Sequence, residues 1–343
     1  MRVVNKVLTT MSAQFTSAAR SAVTGLAPGP FGVGVTTVQL EDRCRVESQT
    51  GLPRRLQTEI WYPAHVDGAP VNAFRDFLGG GGTPEIVAAA DAADAIGGYA
   101  DGTSVASLDG AAAWPNAAVR DARPVAAAHP FPLVVFSHGS GAYRASYLYW
   151  TECLASRGFV VAACDHPGSA RFTVLDGVAV TPGGARSKRP QMEADRVADV
   201  GAILDGLEKL SKTDSRFRNV DASNAAVTGM SFGGWTAAAY AERRDPRVRA
   251  VVLQCPSLSS SGGGALGASH GSATPALVMA GAEDTVIGAA GNDACAAYVA
   301  SHAGPAFSLT LKRGGHCSFT SCDVYTSEYG NGIGTSASLA EPG

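Results

Sequence analysis

Residues 224–244 read NAAVTGMSFGGWTAAAYAERR. An apolar run ends in Gly229-Met230-Ser231-Phe232-Gly233, and an Ala-rich helical pattern begins at once. These five residues match G-x-S-x-G, a pattern with chemical meaning only between a strand and a helix. The 41 glycines and 29 serines among 343 residues give roughly 0.4 such matches by composition alone, so the pattern by itself decides little. The chain supplies its own comparison in Gly267-Ala268-Ser269-His270-Gly271, which lies in the Ser- and Gly-rich stretch 256–274 with no strand before it. Ser231 does have the context: AAVTGM reads as a strand and GGWTAAAYAER as the start of a helix. A serine on that turn is held with a strained backbone, and bulk two residues to either side would clash, hence Gly229 and Gly233. The turn also aims free backbone N–H groups of the helix N-terminus at a developing oxyanion, that of Phe232 among them.

Outward from this turn the same rhythm continues. VGVTTVQL, TEIWYP, PLVVFS, FVVAAC, AAVTGM, RAVVLQC, PALVMAG and FSLTLK are apolar, β-branched runs of strand length. Continuous runs of this kind suit strands buried on both faces. Helical patterns fall between the later ones; residues 191–210 place Val197, Val200, Ile203, Leu204 and Leu207 on one stripe. The fold class expected is therefore α/β, a mainly parallel central sheet flanked by helices. Residues 64–130, rich in Ala, Gly and Asp, read as an insertion between strands with the reach of a partial lid. The domain reading is an N-terminal arm at 1–30, one catalytic domain at 31–320 and a tail at 321–343.

Composition narrows the classes. With 45% hydrophobic and 17% charged residues the chain is globular, and a net charge of -3 gives no reason to expect nucleic acid as a partner. No apolar run approaches the length needed to span a bilayer. The N-terminus has early basic residues without the apolar core of a secretory signal, which points to a cytoplasmic protein, or an exported one had the start been trimmed. Seven scattered cysteines imply no disulfide framework and no zinc spacing. Cys164 and Cys255 end apolar runs and read as small buried residues, while Cys317 and Cys322 are near enough to pair if the tail turns back. No metal and no organic cofactor is called for, and oligomeric state is not legible.

A nucleophilic serine needs a base, and the base an orienting acid. Downstream lie His270, His302 and His316. His270 is in the Ser/Gly loop and His302 in a helical stretch. His316 follows the last strand after two glycines that allow a tight bend, so it is the base expected. Asp284 comes directly after PALVMAGAE, where a parallel strand's carboxyl end meets the ligand crevice. Glu283 and Asp293 are its competitors, and a turn or N-cap role is the plain alternative. A second oxyanion donor is expected from the Ser140 N–H in His138-Gly139-Ser140-Gly141, just past the strand PLVVFS. His138 sits on that loop and reads as structural. Tyr143, Trp235 and His166 are candidates for lining a substrate pocket, with core packing as the alternative for the tryptophan.

FSHGSG, GMSFGG, AGAEDT and GGHCSF, in that order, resemble the α/β-hydrolase superfamily. The resemblance extends to the bacterial dienelactone-hydrolase-like and platelet-activating-factor-acetylhydrolase-like esterases, through GPFGVGVTTVQLEDRCR, TEIWYPA and LASRGFVVAACDHPGS. It covers roughly residues 29–320 without the insertion. It implies an α/β-hydrolase fold with the insertion before the oxyanion-loop strand, Ser231 as nucleophile, His316 as base, and Phe232 and Ser140 as oxyanion donors. One feature departs from the acetylhydrolases, which carry their acid after the strand following the nucleophile helix. Here that strand, RAVVLQCPSLSS, has no carboxylate, and GAEDT is similar instead to bacterial esterases and polyester hydrolases. That favours Asp284 and weakens a platelet-activating-factor substrate.

The leading expectation is a serine carboxylic-ester hydrolase working through an acyl-enzyme on small or aryl and alkyl esters. Lactone, amide or polyester cleavage by the same triad is the second reading. A catalytically silent binding module of the same fold is the reading from another class.

Overall fold

All eight apolar runs form strands; a central one such as 160–164 is buried on both faces, whereas 307–310 is exposed. The computed structural model describes residues 28–47, 51–79, 83–92, 117–180, 189–259 and 271–320. The first half of the chain gives β1 (Gly32–Val46), β2 (Pro53–Ala64), α1 (Pro84–Ala92), β3 (Ala118–Arg120), β4 (Phe131–Ser137), α2 (Leu148–Ala155) and β5 (Val160–Cys164). Then come β6 (Thr173–Leu175), β7 (Val178–Val180), α3 (Arg189–Thr213), β8 (Val220–Met230), α4 (Phe232–Ala241), β9 (Val248–Gln254), β10 (Ala276–Gly281), α5 (Gly288–Ser301) and β11 (Ala306–Leu311). Nine strands make one sheet in the order β11-β10-β9-β8-β4-β5-β2-β1-β3, and β6 and β7 make a separate ribbon. From β11 to β5 every neighbouring pair is parallel. β2 runs antiparallel to both β5 and β1, and β3 adds to β1 in parallel. The mainly parallel sheet expected from the sequence is thus what the chain builds.

Burial along β4 shows the two layers. Leu133 and Val135 join one core with α3, while Val134 and Phe136 join the other with α2. Val200, Ile203, Leu204 and Leu207 of α3 are fully buried, each contributing on the order of 1.5–3 kcal/mol. The same inward stripe also buries Arg196 and Asp199, two charged residues that need partners below.

Of the segment 64–130, the described part includes a turn at Phe74–Phe77, α1 and β3. Phe74, Phe77 and Leu78 are buried, with the Phe77 ring stacked 6.1 Å from that of Trp61. Residues 80–82 and 93–116 of that segment, the arm before residue 28, the second G-x-S-x-G serine Ser269, His270, Cys322 and the tail lie outside the described residues. Among the described residues no helix is long and apolar enough to cross a membrane.

Because β4, β8, β9, β10 and β11 are parallel neighbours, the turns after them crowd along one edge of the sheet. Open parallel sheets bind ligands at such an edge.

Candidate active site

Ser231 joins β8 to α4 with φ 55° and ψ -117°, a backbone state that L-residues avoid. Three hydrogen bonds hold it there. Its N–H donates to Gln254 O at 2.8 Å, and its carbonyl accepts from Trp235 N at 3.0 Å and Ser257 N at 3.1 Å. The flanking glycines are required by contact rather than by torsion. A Cβ on Gly233 would lie 1.9 Å from Ser137 O, and one on Gly229 would lie 2.4 Å from the Gly233 carbonyl. Strand and helix therefore pass each other at backbone distance. Phe232 is the first residue of α4, so its N–H has no intrahelical partner.

Asp284 lies just past β10 and His316 just past β11. Asp284 Oδ2 is 2.7 Å from His316 Nδ1, while Oδ1 accepts from the N–H groups of Val286 at 2.8 Å and Ile287 at 3.0 Å. A carboxylate only accepts, so His316 carries its proton on Nδ1 and leaves Nε2 as an acceptor. Burial raises the Asp284 pKa, but the His316 bond and charge, the Ile287 amide and the Cys255 thiol together hold it below the ordinary range. Among the described residues no hydrogen bond joins Ser231 Oγ to His316; the backbone link through Gln254 sets the serine beside Cys255, the next residue. Side-chain atoms of Cys255, Asp284 and His316 lie within 4.8 Å of one another. Cys255 has φ 38° and gives its thiol proton toward Asp284. As a metal site this trio would need the thiol to ionise, and burial beside the Asp284 carboxylate pushes it far the other way.

The competing residues fall elsewhere. Glu283 and Asp293 are exposed. His302 Nε2 is 2.8 Å from Thr274 O, a tie between α5 and the β10 approach.

Past β4, the loop His138–Gly141 is fixed from several sides. Gly139 N–H donates to Tyr147 Oη at 2.9 Å, and His138 Nδ1–H donates to Gly139 O at 2.7 Å. His138 Nε2 accepts from His166 N–H at 3.2 Å, so His138 is structural, as the sequence suggests. Ser140 is exposed at the tip, and among the described residues nothing accepts from its amide.

Tyr143, Trp235 and His166, the expected pocket residues, are buried at 1%, 6% and 0% exposure. Tyr143 packs in the α2 core and Trp235 in the α3 core. Both nitrogens of His166 are committed: Nε2 lies 2.9 Å from Ser137 Oγ and Nδ1 2.9 Å from Asp199 Oδ2.

Ser137, His166 and Asp199 thus form a second hydrogen-bonded Ser–His–Asp chain, at most 1% exposed and beyond the reach of any substrate. Asp199 is also gripped by Arg54 at 2.7 and 2.8 Å and by Arg45 at 2.8 Å. Sequence reasoning missed this network, since its members come from separate elements at no fixed spacing. The available signal is on α3, where Arg196 and Asp199 interrupt the apolar stripe.

Residues 128–270 match a family model described as serine aminopeptidase, S33. The whole fold is similar to a solved ferulic acid esterase from Streptomyces cinnamoneus, with TM-score 0.64 and 25% identity over 86% of this chain and 78% of that one. A stretch of 51 residues is 49% identical to platelet-activating factor acetylhydrolase of Canis lupus familiaris, spanning 15% of this chain and only 12% of that protein.

Proposed function

Since the chain is an α/β-hydrolase of the serine-esterase kind, we propose that it cleaves carboxylic esters through an acyl-enzyme on Ser231. Ser231 Oγ attacks the ester carbonyl while His316 Nε2 takes its proton, and Asp284 stabilises the imidazolium that forms. The Phe232 and Ser140 amides receive the oxyanion. His316 then protonates the leaving alcohol, and water, activated by the same histidine, frees the acid. One observation carries this reading. A 2.7 Å Asp284–His316 bond, its residues past the second and third strands along the sheet from β8, shares the same sheet edge with a serine in a strained turn.

The substrate class is proposed as an ester of an aryl or short alkyl acid. Support comes from the ferulic acid esterase, a relative over most of both chains. The platelet-activating factor acetylhydrolase match is confined to one short stretch and supports no phospholipid substrate.

The test is labelling with a fluorophosphonate followed by mapping of the adduct, together with turnover of p-nitrophenyl acetate, methyl ferulate, a lactone and an aryl amide. An adduct on Ser231 with turnover of both esters is expected. No adduct, or an adduct on Ser269, overturns the reading. Faster turnover of the lactone or amide than of either ester would move the protein to the second reading.

A further inference from the structure

We propose that Arg196 is a positioning residue that ties the two proposed oxyanion donors into one rigid unit. This rests on the ester-hydrolase reading above. Arg196 comes from α3, far in sequence from both donors, and is fully buried.

Its contacts divide between the two segments that must be held at a fixed separation. Toward the Ser140 loop, Nη2 donates to the His138 carbonyl and, at 3.1 Å, to Ser137 Oγ at the end of β4. Toward the nucleophile turn, Nε donates to Thr236 Oγ1 at 3.1 Å, and Thr236 in turn donates to Phe232 O at 2.9 Å. The guanidinium also lies 4.5 Å from the centre of the Phe232 ring. Nη1 donates to Ser169 Oγ at 2.7 Å, which leaves the fork pinned on a third side. A planar fork holds such a set where a lysine's single nitrogen cannot.

The charge is balanced at a distance. Among the described residues no carboxylate touches Arg196. Ser137 Oγ accepts from Arg196, so its own proton goes to His166 Nε2, and His166 Nδ1–H donates to Asp199. The buried Ser–His–Asp chain is thereby a one-way relay of hydrogen bonds between a cation and an anion. It requires neutral His166, and burial indeed pushes that imidazole down to about 4. Burial lowers Arg196 only to about 10, so it stays charged at neutral pH. A buried cation behind both amides also favours the negative charge that develops in front of them.

Three single variants test this: Arg196→Met, Arg196→Lys and Ser137→Ala. In Arg196→Met, kcat for p-nitrophenyl acetate should fall about 10- to 100-fold with KM within about twofold, the range expected when oxyanion donors shift without being lost. Affinity for a trifluoromethyl ketone should fall by the same factor, because it binds as the tetrahedral adduct. Arg196→Lys should recover only part of the loss. Unchanged kcat in folded Arg196→Met overturns the proposal, as does a loss carried wholly by KM. If Arg196→Met does not fold, Ser137→Ala decides: a fall of about 3- to 10-fold in kcat alone supports it, and wild-type kcat overturns it. Should the wild type turn over no ester, the esterase reading fails separately. Amide hydrogen exchange then tests the tie directly in the most disruptive variant that folds: residues 137–141 and 231–234 should exchange faster together than in wild type, and a rise in neither sinks it.

Discussion

His316 donates through Nδ1 to Asp284 Oδ2 at 2.7 Å across 32 positions of sequence, with both side chains almost wholly buried. The bond fixes the tautomer, so replacing the acceptor should damage chemistry more than folding. Asp284→Asn should lower kcat for p-nitrophenyl acetate on the order of 10³- to 10⁴-fold. Exposed Glu283→Gln should stay within twofold. Steady-state kinetics on the two variants checks this, and a larger loss in Glu283→Gln would reverse the acid assignment.

Gly233 and Gly201 should respond to the same substitution with opposite signs. Gly233→Ala drives a methyl group to 1.9 Å from Ser137 O and should cost about 3 kcal/mol or more. At Gly201, within α3, the nearest atom to an added Cβ is Tyr240 Oη at 3.5 Å, an ordinary contact. Gly201→Ala should therefore stabilise the fold by up to about 1 kcal/mol through helix propensity. Urea unfolding of both variants measures the difference.

Ser231 holds φ 55° at the cost of stability. Ser231→Gly relieves that strain and should raise stability by about 1 kcal/mol while abolishing ester turnover and fluorophosphonate labelling. Ser231→Ala should abolish both without the gain. Calorimetry beside the activity assay separates the outcomes; equal melting temperatures for the two variants would show that the turn is unstrained.

Acid should unfold the protein earlier than its carboxylates alone would. His166 is neutral in the fold down to about pH 4, whereas an unfolded histidine takes its proton below about 6.5. Between those values the unfolded state binds more protons, so stability falls as pH falls, by about 1.4 kcal/mol per unit for such a histidine. His138, held well below its ordinary value mainly by burial, acts with the same sign. Asp284 and Asp199 are held below 3.8, so their contributions are lost only at lower pH. Melting temperatures from pH 7 to 4 should decline, with a shallower slope in His166→Gln. An unchanged slope in that variant would exclude His166 as the titrating group.

Strands were legible where both faces are buried, as in β5, because covering two faces leaves an unbroken apolar run. β3, β6 and β7 were missed because three residues are too few for any periodicity to show. In the site, Asp284 and His316 were legible because each stands directly past a strand that announces itself. From the sequence Cys255 reads only as a small buried residue; its turn toward Asp284 depends on a φ of 38° that a sequence does not display. Arg196 was hidden for a different reason. Its role lies in bonds to backbone and hydroxyl oxygens of β4, the following loop and α4, which no local pattern brings together.

β11 is the outermost strand of the sheet, bound on one side only by β10, and His316 hangs just beyond it. During synthesis the turn at Ser231, the proposed nucleophile, leaves the ribosome long before His316, its proposed base. Until β11 docks, the proposed nucleophile lacks its proposed base. On the proposed mechanism, reactivity toward a fluorophosphonate would be a clock for completion of the sheet, and local fraying of one edge strand would silence the protein without unfolding the rest.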